Sequence, residues 1–282
     1  MYEGCLNQII TETLQETNQK VKLIHQVSKM VKRMKFLSKK EYIWHSGLYL
    51  LCYYGADSTV VKDFLSALNF DDNYLFLQFA DVFEFVLNHA NRAGYKLWSS
   101  PSQQDQILTS IRYRMYAKTE SLLQHRNAPR FCDKEYEIMK NYSRFVFPLN
   151  GLKNPVRHGL IRRERHFLIL QFLHFFYEDR SKGQKVLQML WRSIPDPFIS
   201  LDELASVFSV AQNSRLEEDI RSFIEDVTGA EVPEERGFQP RKLKHFCRTA
   251  IRNVMNNNGQ LSAGISQLIL PPSVKSFLRL EN

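Results

Sequence analysis

Residues 162–179 read RRERHFLILQFLHFFYED. After a charged lead-in, the apolar side chains cover nearly the whole circumference of a helix, and a helix that is apolar all round belongs inside a protein. This stretch is therefore expected at the buried centre of a helical body. Outward from it, DNYLFLQFADVFEFVLNHANRAG over 72–94 and RLEEDIRSFIEDV over 215–227 are further helical stretches, closed by Gly94 and Gly229, which suit a left-handed stop. Three capping boxes open helices: Ser38 with Glu41, Ser200 with Glu203 and Ser214 with Glu217. In each, the serine oxygen accepts from an orphan backbone N–H and the glutamate three residues on reaches back. The first precedes YIWHSGLYLLCYYG, which ends at Gly55, and nearer the start Leu6, Ile9, Ile10, Leu14, Val21, Ile24, Val31 and Met34 trace another helical stripe. Strand signals are scarce, because no alternating runs are joined by a two-residue Asn-Gly or Asp-Gly turn. The expected fold class is all-α, with a large helical body and no clean internal repeat.

Composition agrees with a globular chain. Its 282 residues are 44% apolar, too many for disorder, and no run approaches the ~18 to 20 apolar residues of a membrane span. The opening MYEGCLNQIITETLQE lacks a basic region followed by an apolar core, so no secretory signal is expected. Cys5, Cys52, Cys132 and Cys247 are too dispersed for a disulfide framework or a clustered zinc site. An intracellular, cytoplasmic protein with reduced thiols is expected.

The formal charge of +8 is not spread evenly. Residues 238–282 hold seven basic groups (Arg241, Lys242, Lys244, Arg248, Arg252, Lys275, Arg279) against Glu281, a net +6. Residues 201–236 carry −7, and the sign flips across EVPEERGFQP, whose Pro233, Gly237 and Pro240 read as a linker. A boundary is expected near residue 237, between a body at 1–237 and a module at 238–282. A second basic row, from Lys20 to Lys40, offers either a phosphate-binding surface or a solvated helix face.

No catalytic signature is present: there is no GxxxxGK[ST], GxGxxG, HExxH, GxSxG or CxxC. His166 and His174, eight residues apart without an acid at ligand spacing, read as partly buried residues at a core edge rather than a metal site. Cys132, with Asp133 and His125 near in sequence, reads as a structural thiol. The basic stretch RHGLIRRERH, 157–166, reads as the lead-in to the buried helix or as a phosphate contact. Catalytic residues, metal and cofactor are all expected to be absent.

The C-terminal module is more specific. In RKLKHFCRTAIRNVM, 241–255, Leu243, Cys247 and Ile251 recur at four-residue steps, with Phe246, Ala250 and Val254 on the adjoining row. All six share one helix face, with Pro240 at the first turn and Gly259 at the stop. A module of roughly 45 residues buries little core of its own, so such a stripe wants a partner, whether the body or another chain.

Leu243, Cys247 and Ile251, followed about twenty residues later by ISQLILPPSVKSFL, closely resemble the SOCS box, the C-terminal three-helix module of the ankyrin-repeat and SOCS-box family and its relatives. The resemblance implies that Leu243 enters an apolar pocket of Elongin C, with Cys247 and Ile251 beside it and Phe246 and Ala250 completing the elongin-binding set. It implies that Leu268, Leu270, Pro271 and Pro272 face a cullin, supported by a helix containing Val274, Phe277 and Leu278. Lys242 and Ile269 depart from the family pattern, Ile269 standing where a first proline is usual.

The implied function is a non-catalytic substrate-recognition adaptor in an elongin BC–cullin–RING ubiquitin ligase of intracellular signalling. Its partners would be Elongin C with Elongin B, a cullin scaffold with its RING subunit, and a protein substrate. YLLCYYGADSTVV, 49–61, is similar to the end of an ankyrin repeat, but no Thr-Pro-Leu-His turn or 33-residue period occurs, so the body holds at most one or two degenerate repeats. The rival reading is a basic helical nucleic-acid-binding protein using Lys20 to Lys40 and the C-terminal arginines.

Overall fold

The computed structural model describes residues 47–49, 51–52, 57–68, 80–95, 105–128, 131–146, 155–207, 214–229 and 240–281. Among them there is no strand, and the all-α expectation holds. The stripe before residue 40, the Ser38–Glu41 box, the stop at Gly55 and the linker at 230–239 lie outside the described residues. The chain divides into two units, Met1–Gln103 and Gln104–Asn282.

In the first unit, α1 (Ser58–Leu68) packs on α2 (Ala80–Arg92). Asp57 caps α1, its Oδ1 accepting from the N–H groups of Thr59 and Val60 at 2.8 and 3.0 Å. Val61, Phe64 and Leu65 of α1 and Phe83, Val86 and Leu87 of α2 are all but fully buried. Gly94 takes φ +63 and ends α2 as expected.

The second unit contains α3 (Asp105–Arg112), α4 (Tyr116–His125), α5 (Asp133–Val146), α6 (Arg163–Glu178), α7 (Arg180–Ser193), α8 (Leu201–Val207) and α9 (Ser214–Thr228). It continues through α10 (Leu243–Asn257), α11 (Leu261–Gln267) and α12 (Pro272–Leu278). Helix α6 is its centre: every residue from Arg165 to Phe176 is buried, and α5, α7 and α9 pack on it. Burying one such Leu or Phe contributes about 1.5–3 kcal/mol, and this helix supplies more buried apolar side chains than any other in the unit. Phe172 meets Trp191 of α7 edge to face, with centroids 5.5 Å apart. Gly183 lets α7 approach closely, since a Cβ there would lie 2.3 Å from Cδ1 of Phe175.

His166 and His174 sit deeper than their expected place at a core edge. Tyr136 Oη lies 3.0 Å from His166 Nδ1, and burial, helped by nearby Lys140, holds this imidazole down to about 4. The charged lead-in to α6 is partly internal as well. Arg165 donates from Nε and Nη2 to the two carboxylate oxygens of Glu203, both at 2.7 Å, and from Nη1 and Nη2 to the carbonyls of Pro197 and Phe198. Glu203 is the partner expected for Ser200: the Ser200 N–H donates to Glu203 Oε2 at 3.0 Å, and the Glu203 N–H donates to Ser200 Oγ at 3.3 Å. One carboxylate therefore caps α8 and neutralises a buried arginine of α6.

Candidate functional site

Helix α10 is built as its spacing predicts, but begins at Leu243 with Lys242 as N-cap residue. Pro240 and Arg241 precede the helix instead of forming its first turn. The six residues assigned to one face lie on one face, and that face is in solvent. Leu243 is 77% exposed, Ile251 42% and Val254 62%, while Phe246, Cys247 and Ala250 are exposed too. Cys247 carries a free thiol. The stripe does not pack on the body.

What faces the body is the other side: Arg241, His245, Arg248, Thr249 and Arg252 are buried. Burying arginine is costly unless its N–H groups are satisfied. For Arg241 and Arg252 the main acceptors are backbone carbonyls at or just past the C-terminal ends of three helices, which lack intrahelical donors and carry the negative pole of the helix dipole. Arg241 donates to Trp191 O at 3.1 Å and Asp196 O at 2.7 Å, just past the end of α7. The carbonyl of Trp191 needs such a donor because Pro195, four residues on, has no N–H. The Arg241 guanidinium also lies 3.5 Å over the Trp191 ring.

His245 Nε2 lies 2.7 Å from Ile194 O, and its Nδ1 3.0 Å from Nη2 of Arg248. Arg248 can only donate, so Nδ1 accepts, Nε2 carries the proton and the imidazole is neutral. Burial, reinforced by Arg241, holds it down to about 4. Arg252, wholly inaccessible to solvent, donates to Leu278 O of α12 at 2.7 Å, and to Leu123 O and Arg126 O at the end of α4 at 2.5 and 3.1 Å. Desolvation lowers Arg252 to about 9, which still leaves it charged at neutral pH. Asn127 adds a contact, donating from Nδ2 to Asn253 Oδ1 at 2.6 Å.

Beyond α10, Leu261, Ile265 and Leu278 form a small core with Met255, Leu268 and Phe277 packed against it. Pro272 takes the first helical position of α12, where a missing N–H costs nothing. Of the four residues assigned to a cullin surface, Leu268 turns partly into this core, while Leu270, Pro271 and Pro272 are exposed. Ile269, the departure from proline, is fully solvent-exposed at 102%. Val274 is exposed, whereas Leu278 is buried and Phe277 half-buried. Lys275 and Arg279 tie α12 to Ser266 of α11 by bonds of 2.9 and 3.0 Å.

The exposed apolar side chains of α10 and the Ile269–Pro272 segment thus form the candidate site. The basic row Arg241, His245, Arg248, Arg252 is the feature that sequence reasoning missed, although its steps of four, three and four were legible as a second helical face. Among the described residues no group of three His, Cys, Asp or Glu is placed to hold a metal, and no helix is long and apolar enough to cross a membrane.

Comparison with known proteins finds the SOCS box family over residues 239–279, which spans α10, α11 and α12. No curated protein and no solved structure matches the chain. The SOCS box is an elongin BC-binding module of the adaptors of cullin–RING ligases, proteins that are generally non-catalytic. The chain carries a SOCS box at 239–279, mounted on a helical unit by its basic face with its apolar face outward.

Proposed function

We propose that this chain is a substrate-recognition adaptor of an elongin BC–cullin–RING ubiquitin ligase, acting in the cytoplasm in intracellular signalling. Leu243, Phe246, Cys247, Ala250 and Ile251 take Elongin C, which brings Elongin B. Leu270, Pro271 and Pro272, with Leu268 behind them, meet the cullin and its RING subunit. The helical body holds a protein target for ubiquitination and proteasomal degradation. The chain supplies no reacting group; its contribution is proximity, presenting a target lysine to a ubiquitin-charged conjugating enzyme borne by other subunits.

The observation that carries this reading is the solvent exposure of the Leu243–Cys247–Ile251 row on a helix whose opposite face is already buried. A helix docked through its polar side keeps its apolar side for a partner, as in helix-in-groove recognition. The same burial withdraws Arg241, Arg248 and Arg252 from the phosphate contacts that a nucleic-acid-binding reading requires.

Co-purification with Elongin B and C is the test. Each leucine anchor transferred to an apolar pocket contributes about 1.5–3 kcal/mol, so a Leu243→Ser, Cys247→Ser double variant is expected to lose capture. Absence of binding by the wild-type chain, or undiminished binding by the double variant, rejects the proposal.

A further inference from the structure

We propose that Arg252 is a positioning residue that fixes the Leu268–Pro272 segment relative to the exposed face of α10, by closing the ends of α4 and α12 from inside. The inference rests on the elongin–cullin reading for the roles of the two surfaces, and on geometry for the joint between them. Arg252 lies on α10 opposite Leu243 and is wholly buried against the body, so it cannot touch a partner seated on the exposed row. Its guanidinium reaches three carbonyls: Leu278 O, the last residue of α12, and Leu123 O and Arg126 O, at the end of α4.

Those bonds hold α12 from the rear, and α12 follows directly on Pro271. A guanidinium is suited to this task because its planar fork aims several donors in fixed directions, which the single ammonium of lysine does not reproduce. The small core of Leu261, Ile265 and Leu278 holds α11 to α12, and α11 packs on α4, while the Arg252 bonds tie the ends of α4 and α12 to α10. A second arginine acts in the same sense. Arg192 of α7 donates from Nη1 to Leu280 O at 3.2 Å, anchoring the chain two residues past α12. Leu280 itself is fully buried with φ +69, so the exit from α12 is held on both sides.

The experiment uses the full chain, free and assembled with Elongin B and C, as wild type, Arg252→Met, Arg252→Lys and Arg192→Met. Three quantities are read: affinity for Elongin B–C, hydrogen exchange of amides along the chain, and affinity of the assembled complex for a cullin–RING pair. Arg252→Met keeps every residue of the α10 face, so its Elongin affinity should stay within about threefold of wild type. Loss of three charge-assisted bonds should speed exchange across 268–280 about tenfold or more and weaken cullin binding about tenfold, with α6 protected as before. Arg252→Lys should recover only part of this. Arg192→Met should repeat the pattern at about threefold, since it removes one bond.

Unchanged exchange at 268–280 and unchanged cullin affinity in Arg252→Met overturn the proposal. So does a parallel fall of Elongin affinity, cullin affinity and α6 protection, which would make Arg252 a stability residue only. If Arg252→Met does not fold, Arg192→Met decides by the same two criteria. Failure of the wild type to bind Elongin B–C rejects the proposed function instead, and exchange across 268–280 in the free chain still judges the positioning role.

Discussion

Helices α6 and α10 are 16 and 15 residues long, and both bury arginine and histidine. Helix α6 buries its apolar residues alongside them, whereas α10 leaves its apolar residues in solvent and buries only the polar ones. The two also satisfy their arginines differently. Arg165 of α6 meets the carboxylate of Glu203; Arg241, just before α10, and Arg252 within it meet carbonyls where α4, α7 and α12 end. The pair teaches that an apolar stripe predicts burial without saying in which molecule. A helix whose polar face docks at home is free to bury its apolar face in a partner.

The largest expected effect tests the carboxylate side of this comparison. Arg165→Met should destabilise the chain by about 3–5 kcal/mol, because it strands the buried Glu203 carboxylate that also caps α8. Urea unfolding measures it, and Elongin B–C affinity of the folded fraction should not change. A loss under 1 kcal/mol would place Arg165 with surface pairs and remove this half of the contrast.

How much of this was legible beforehand follows from where each determinant lies. The all-α class and the central place of α6 follow from local pattern, because a helix apolar on every side can only be internal. The Ser200–Glu203 box was legible for the same reason: capping is an interaction over three residues. That Glu203 also receives Arg165 was not, since the two are 38 residues apart and only the fold joins them. The six-residue face of α10 was legible as a face, and the SOCS-box resemblance said what should cover it. The docking of its basic side depends on carbonyls freed by Pro195 and by the ends of α4 and α12, and no periodicity within α10 records those.

The next effect concerns two of the buried histidines, His166 of α6 and His245 of α10. His166 and His245 are both held at about 4 against 6.5 when unfolded. The folded chain therefore binds fewer protons between these values, so stability is flat above pH 6.5 and falls as the pH drops towards 4. At pH 5 each histidine should cost about 2 kcal/mol relative to pH 7.5, by that linkage. The physical causes differ: His166 lies in the apolar centre against Tyr136, His245 lies among Arg241 and Arg248. Denaturation at the two pH values reads their sum together with that of His174, which burial also holds low, and imidazole NMR titration assigns each share. A His245 resonance that titrates near 6.5 would show that the basic seam is wet and open.

The smallest expected effect on stability tests the comparison at its root. Leu173 of α6 is wholly buried and Leu243 of α10 is 77% exposed. Leu173→Ala leaves a cavity at the centre of the unit and should cost about 2–5 kcal/mol. Leu243→Ala removes almost no contact made within the chain, and alanine is a strong helix former, so its cost should stay within about 0.5 kcal/mol. On Elongin affinity the order reverses, with Leu243→Ala weakening binding about tenfold or more as its anchor is lost, and folded Leu173→Ala binding as wild type. Chemical denaturation and binding assays on the two variants give four numbers. A loss of more than 1 kcal/mol in free Leu243→Ala would mean that the α10 face already packs against this chain in solution. The apolar face would then be closed, and a partner could reach it only after that contact opened.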